Sequence, residues 1–198
     1  TNFNGTQDPT EVGINGIVVN LYSSCSTTMP FRTTTTANHP TTAKPGYYLF
    51  MNLEVDCVYT VEFVKPTGSV FTTLDTGVDQ TDSDANLTTG KTIGINLVND
   101  VDQLTWDAGI YYPACIGDMV FEDVNVNGIY DTGDFPIVGA VVKLTFPNNT
   151  TITTTTDANG WYNFCGLVPA EYKVDIDTTQ AAIMNYPKFA LGYYSTTA

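Results

Sequence analysis

The chain has 198 residues, 42% hydrophobic and 12% aromatic, with 21 acids against 7 bases and a net charge of −14. That length supports one large or two small cores, while the charge excludes nucleic acid and anionic membranes as partners and favours cations. No run approaches the roughly 20 apolar residues of a membrane span, and no charged-then-apolar signal segment opens the chain, although a leader removed earlier is compatible with that.

The first element is a turn rich in oxygen side chains. Asn2, Asn4, Gly5, Thr6, Asp8 and Glu11 fall at positions 3, 5, 6, 7, 9 and 12 of a calcium-binding loop, with position 1 lying just before Thr1. Residues 17–22 then alternate apolar and polar as a half-buried strand, and the threonine run 33–36 suits a second, because branched side chains pack well on a pleated surface. Residues 37–45 carry His39, the single histidine, with no nucleophile elbow nearby. Residues 59–63 alternate again, and the Pro66 to Gly68 stretch reads as a turn. An acidic stretch follows with Asp79, Asp82, Asp84 and Asn86, and Trp106 and Asp107 lie beyond it.

Near Pro113 the pattern restarts. Residues 116–121 read as a strand, and the next twelve residues form a complete loop: Asp123, Asn125, Asn127, Gly128, Ile129 through its carbonyl, Asp131 and Asp134 stand at positions 1, 3, 5, 6, 7, 9 and 12. A hard cation takes many oxygen ligands, and the glycine permits the sharp turn that points them inward. Both loop flanks alternate as strands, so the helix–loop–helix form of this motif is excluded. Strands follow at 140–144 and 172–176, with the threonine run 153–156 and the turn 157–160 between them. No amphipathic helix is convincing.

The two halves are an internal repeat. Gly128 and Gly5 share their offset with Asp131 and Asp8, and Ile14, Gly16, Val19 and Leu21 match Ile137, Gly139, Val142 and Leu144. The match continues through both threonine runs and from Gly46, Tyr48 and Phe50 to Gly160, Tyr162 and Phe164, with 37–45 as an insertion in the first copy. The expected architecture is all-β, two tandem antiparallel β-sandwiches over 1–113 and 114–198, the first short of its opening strand and the second incomplete at its end or completed by a neighbour.

Four cysteines without zinc spacing fit disulfides in an oxidising compartment. Of three connectivities, pairing within each repeat joins Cys25 to Cys57 and Cys115 to Cys165, with buried free thiols as the alternative. Asn4, Asn86, Asn148 and Asn149 head N-glycosylation sequons. No catalytic residue is assigned, because acids this numerous make any chosen pair uninformative.

On residues 116–131, on the 153–164 run with its Asp157, Asn159 and Gly160 turn, and on Trp106, Asp107, Gly109 and Tyr111, the chain resembles the B-type repeats of serine-aspartate-repeat surface adhesins, within the broader collagen-adhesin B-type, prealbumin-like sandwiches. The resemblance implies an extracellular or cell-surface repeat that binds Ca²⁺ structurally and serves as a rigid spacer. It implies loop ligands at Asp123, Asn125, Asn127, Ile129, Asp131 and Asp134, and a further acidic site at Asp82 and Asp84 with Asp79 and Asp107 as contributors. Asp134 departs from the glutamate usual at position 12. The expected partners are neighbouring repeats or identical subunits, with an extracellular protein or glycan ligand as a third kind. A filament subunit joined by β-strand complementation is the alternative function.

Overall fold

In the computed structural model, which describes residues 4–74, 77–99, 101–184 and 189–191, the first alternating stretch forms β1 (Val18–Ser23), the threonine run forms β2 (Arg32–Thr35), and the second alternating stretch forms β3 (Val58–Val64). Three two-residue strands follow: β4 (Val70–Phe71), β5 (Ile95–Asn96) and β6 (Ile110–Tyr111). One sheet runs β2-β1-β3-β5, with every pair antiparallel, and β4 pairs with β6. The register sets Val19 opposite Phe63 and Leu21 opposite Val61, so the period-2 pattern places all four on one buried face. With Tyr59, Phe71 and Ile95 they form the core of this unit. Each such side chain contributes about 1.5–3 kcal/mol when fully buried.

The chain divides into two compact units, Thr1–Tyr112 and Pro113–Ala198. In the second, β7 (Ala114–Glu122), β8 (Phe135–Pro136), β9 (Val141–Thr145), β10 (Thr151–Thr155), β11 (Trp161–Leu167) and β12 (Lys173–Ile176) precede a single helical turn, α1 (Ala181–Met184), and β13 (Phe189–Leu191). One antiparallel sheet runs β10-β9-β12. The other centres on β7: residues 120–122 pair with β13, and Phe121 and Glu122 also pair with β8. β8 therefore shares the other edge of β7 with β11. Val120, Ile137, Val142, Leu144, Phe164 and Leu167 fill the core. Gln180 caps the end of β9 with its side-chain amide, accepting from Val141 N at 2.5 Å and donating to Val141 O at 2.9 Å.

One hydrogen-bonded bridge recurs in both copies. The last threonine of each run, Thr36 and Thr156, is buried and donates to Ile14 O (2.6 Å) and Ile137 O (2.7 Å), while its hydroxyl accepts from Ile17 N and Ala140 N, both at 2.9 Å. The disulfides Cys25–Cys57 and Cys115–Cys165 each lie within one unit, at different places in the repeat. Cys25 follows β1 and Cys57 precedes β3, whereas Cys115 and Cys165 face each other across β7 and β11.

The copies also differ. Residues 47–50, which match β11, form no strand, although Tyr47 bridges Ala37 across the base of the insertion. His39 serves that insertion: its Nδ1 accepts from Thr41 N and Thr42 N, and its ring stands edge-on to Tyr47.

Candidate cation site

The 123–134 loop connects β7 to β8 and closes on its own backbone. Asp123 is buried, and its carboxylate accepts from Asn127 N at 3.1 Å and Gly128 N at 2.7 Å. Gly128 holds φ at +79°, a left-handed conformation that costs a side-chain-bearing residue energy. Asn125 Oδ1 receives Asn127 N, and Asn127 Oδ1 receives Ile129 N, the local Asx turns that suit these residues to a tight loop. Both amides reach Asp131, at 3.1 Å from Asn125 and 2.7 Å from Asn127. Asp134, also buried, accepts from Val124 N and Asp131 N, each at 2.9 Å.

The described part of the unit 1 loop repeats some of this bonding. Asn4 Oδ1 receives Thr6 N at 2.9 Å, Asn4 Nδ2 reaches Asp8 at 3.4 Å, and Glu11 receives Asp8 N at 3.3 Å. Glu11 N in turn donates to Asp8 O, as Asp134 N does to Asp131 O. Asn4, Thr6, Asp8 and Glu11 thus stand where Asn127, Ile129, Asp131 and Asp134 stand. Asn2, expected at position 3, lies outside the described residues.

The third expected group lies beside the first loop. Thr6 bridges Asp82, and Gln7 N donates to Thr81 O at 2.6 Å. Asp82, Ser83 and Asp84 are buried. Asp84 Oδ2 accepts from Asp107 N at 2.8 Å, and Asp84 N donates to Asp107 O, which ties the two residues together through one carboxylate bond and one backbone bond. Asp82 accepts from Gly77 N through one oxygen, while the other, Oδ1, is buried without a partner among the described residues. Burial, then the charges of Asp84, Asp82 and Asp79, pushes the Asp107 carboxyl up to about 7. Tyr48, whose hydroxyl donates to Trp106 O, has its phenol pushed up by burial first and then by Asp107 and Asp84. The sequence carried no signal for Tyr48, because a tyrosine in an apolar strand pattern reads as core.

Among the described residues no three acids, histidines or cysteines form a group that could hold a metal ion. Any cation site here therefore depends on amide and main-chain oxygens as well as carboxylates. The 123–134 loop offers that mixture: Asp123, Asn125, Asn127, Asp131 and Asp134 supply oxygen side chains, and Ile129 a main-chain carbonyl. Carboxylate and amide oxygens have further lone pairs beyond the backbone N–H groups that position them. This donor chemistry fits a hard divalent cation of flexible coordination, and the loops lack the sulfur and imidazole donors that favour zinc. The sequon residues Asn4, Asn86, Asn148 and Asn149 are all exposed.

The SdrD B-like domain model matches residues 1–110 and 114–189. Over 181 residues the chain is 38% identical to serine-aspartate repeat-containing protein D of Staphylococcus aureus (strain Newman), covering 90% of this chain and 13% of that protein. It is 39% identical, again over 181 residues, to serine-aspartate repeat-containing protein F of Staphylococcus epidermidis, of which it covers 10%. The chain thus spans a small fraction of the length of these relatives. No solved structure matches it significantly. One family match over each unit, joined to loop hydrogen bonds that recur in both, leads to one assignment: the chain belongs to the SdrD B-like domain family.

Proposed function

We propose that the chain is a non-enzymatic structural repeat of an extracellular, cell-surface adhesin or stalk, stabilised by calcium. The reading rests on one observation above the others: the donor loop recurs in both units with the same Asn-to-Asp and Asp-to-acid hydrogen bonds. The ligands in unit 2 are Asp123, Asn125, Asn127, Asp131, Asp134 and the carbonyl of Ile129. In unit 1, Asn2, Asn4, Thr6, Asp8 and Glu11 form the matching set, and Asp82, Asp84 and Asp107 supply acidic oxygens close by. A bound cation neutralises buried carboxylates and adds its binding free energy to that of folding. The family match supports the surface setting, and the exposed sequons are candidates for glycan attachment where the secreting cell glycosylates.

Thermal melts with excess Ca²⁺ and with a chelator test the reading. Calcium is expected to raise the melting temperature and slow proteolysis; identical melts in the two conditions would refute it. A self-assembling filament is the second reading, favoured by Ile14 N and Gly46 O, which meet no backbone partner among the described residues.

A further inference from the structure

In unit 2, β7 lies beside a line made of two segments placed end to end, β8 and β11. At their junction Val120 N donates to Gly160 O and Val120 O receives Ile137 N, both at 2.9 Å. A Cβ on Gly160 would stand 2.6 Å from Val120 O and 3.0 Å from Pro136, so the three backbones meet at one point. Unit 1 builds the same line: a Cβ on Gly46 would stand 2.9 Å from the Gly13 Cα, with Gly13 and Gly46 in the places of Pro136 and Gly160. Among the described residues no strand runs beside it, and no backbone group meets Ile14 N or Gly46 O. Ile137 is wholly buried, whereas its counterpart Ile14 is 44% exposed. A cavity of about 390 Å³ opens against this line, lined by Val12, Ile14, Tyr47, Tyr48, Phe63 and Phe71 among others. Residues 5–7, 81–83 and 107–111 also line it.

We propose that this cavity is an acceptor for one β-strand of the β7 pattern, entering ahead of the Asn4 loop as β7 enters ahead of the Asp123 loop. The repeat identifies the occupant. β7 carries Ile116 and Val120 towards its core and Gly117 against the β11 backbone, where a Cβ would stand 2.4 Å from Tyr162 O. A matching strand would bury Ile14 and bond Ile14 N and Gly46 O through its own backbone, the mode in which an extended segment completes an open sheet. The loop offset sets the register, since β7 runs into position 1 of its loop without an intervening residue. The argument stands on strand geometry and is independent of calcium.

The test grafts a copy of residues 114–123, with serine for Cys115, directly ahead of Thr1 of the 198-residue chain. The comparison protein carries the same graft with Val120→Asp, and both are measured in chelator so that cation binding plays no part. The intact graft is expected to raise the unit 1 melting transition by at least about 5 °C and to slow amide exchange at Ile14 by at least about tenfold, with the Val120→Asp graft doing neither. An unchanged melt and unchanged Ile14 exchange with the intact graft would overturn the proposal. So would equal stabilisation by both grafts, because an extension that ignores the strand pattern does not use the acceptor. Dimerisation of the ungrafted chain, seen by sedimentation and persisting in the intact graft, would make a second copy the occupant and overturn the assignment as well.

Discussion

Thr156 and Thr36 show how much one hydroxyl fixes at the residue scale. Each closes a bridge, buried in unit 2 and half-buried in unit 1, between a main-chain carbonyl and a main-chain amide three residues further on. Valine has the same shape without the hydroxyl, so Thr156→Val strands Ala140 N and Ile137 O in the core, at a cost of about 2 kcal/mol. Urea unfolding is expected to show that loss in unit 2 alone, with serine at the position recovering most of it. The threonine runs are uniform in sequence, and alternation does not say which member turns inward, so this bridge was not legible beforehand. Asp107 gives a second prediction at this scale. Its folded carboxyl titrates near 7, whereas in an unfolded chain it titrates near 4. Between those values the native state keeps a proton that the unfolded state has released, so stability falls as pH rises through the window. In chelator, unit 1 should have a lower urea midpoint at about pH 8 than at about pH 5, and Asp107→Asn should flatten that slope; a slope unchanged in the variant would assign it elsewhere.

Among the elements, alternation located β1, β3, β9 and β12 to within a residue or so, because each buries one face and the side-chain period of a strand is two. The donor loops were legible for a related reason. Asx turns and a left-handed glycine are local chemistry, set by residues a few positions apart, and the described parts of both loops form such turns. The state of 47–50 was not legible. Its sequence matches β11, yet β11 is a strand because β7 lies beside it, and pairing is a property of the partner as much as of the segment. The grouping of Asp84 with Asp107 came from the family resemblance and not from spacing, since only the fold brings positions 23 apart into one hydrogen bond. The disulfides act at this scale too. With separations of 32 and 50 residues, loop-closure entropy assigns each about 4 kcal/mol, because the dependence on length is logarithmic. Reduction is therefore expected to lower the melting transitions of both units by similar amounts, with loss of the β7–β11 staple falling on unit 2 in the Cys115→Ser, Cys165→Ser variant.

For the whole molecule the governing quantity is charge. Twenty-one acids against seven bases give a net −14, and several of the acids are buried near one another: Asp82 and Asp84 in unit 1, Asp123 and Asp134 in unit 2. A compact state bearing that charge repels itself, and the repulsion can be relieved by specific cations at the donor loops or by diffuse ions in solution. The two routes have different signatures. Diffuse screening reaches exposed charges within a Debye length of about 10 Å at 0.1 M salt and acts weakly on buried ones. In chelator, raising NaCl from about 0.01 M to about 0.5 M should therefore raise the melting temperature through the exposed acids while leaving the burial cost at the loops in place. Calcium added at the higher salt should then produce a further rise, because it acts where sodium screening does not. If high salt alone reproduced the full calcium effect, the donor loops would be ordinary acidic turns, and surface charge would account for the stabilisation without a bound ion.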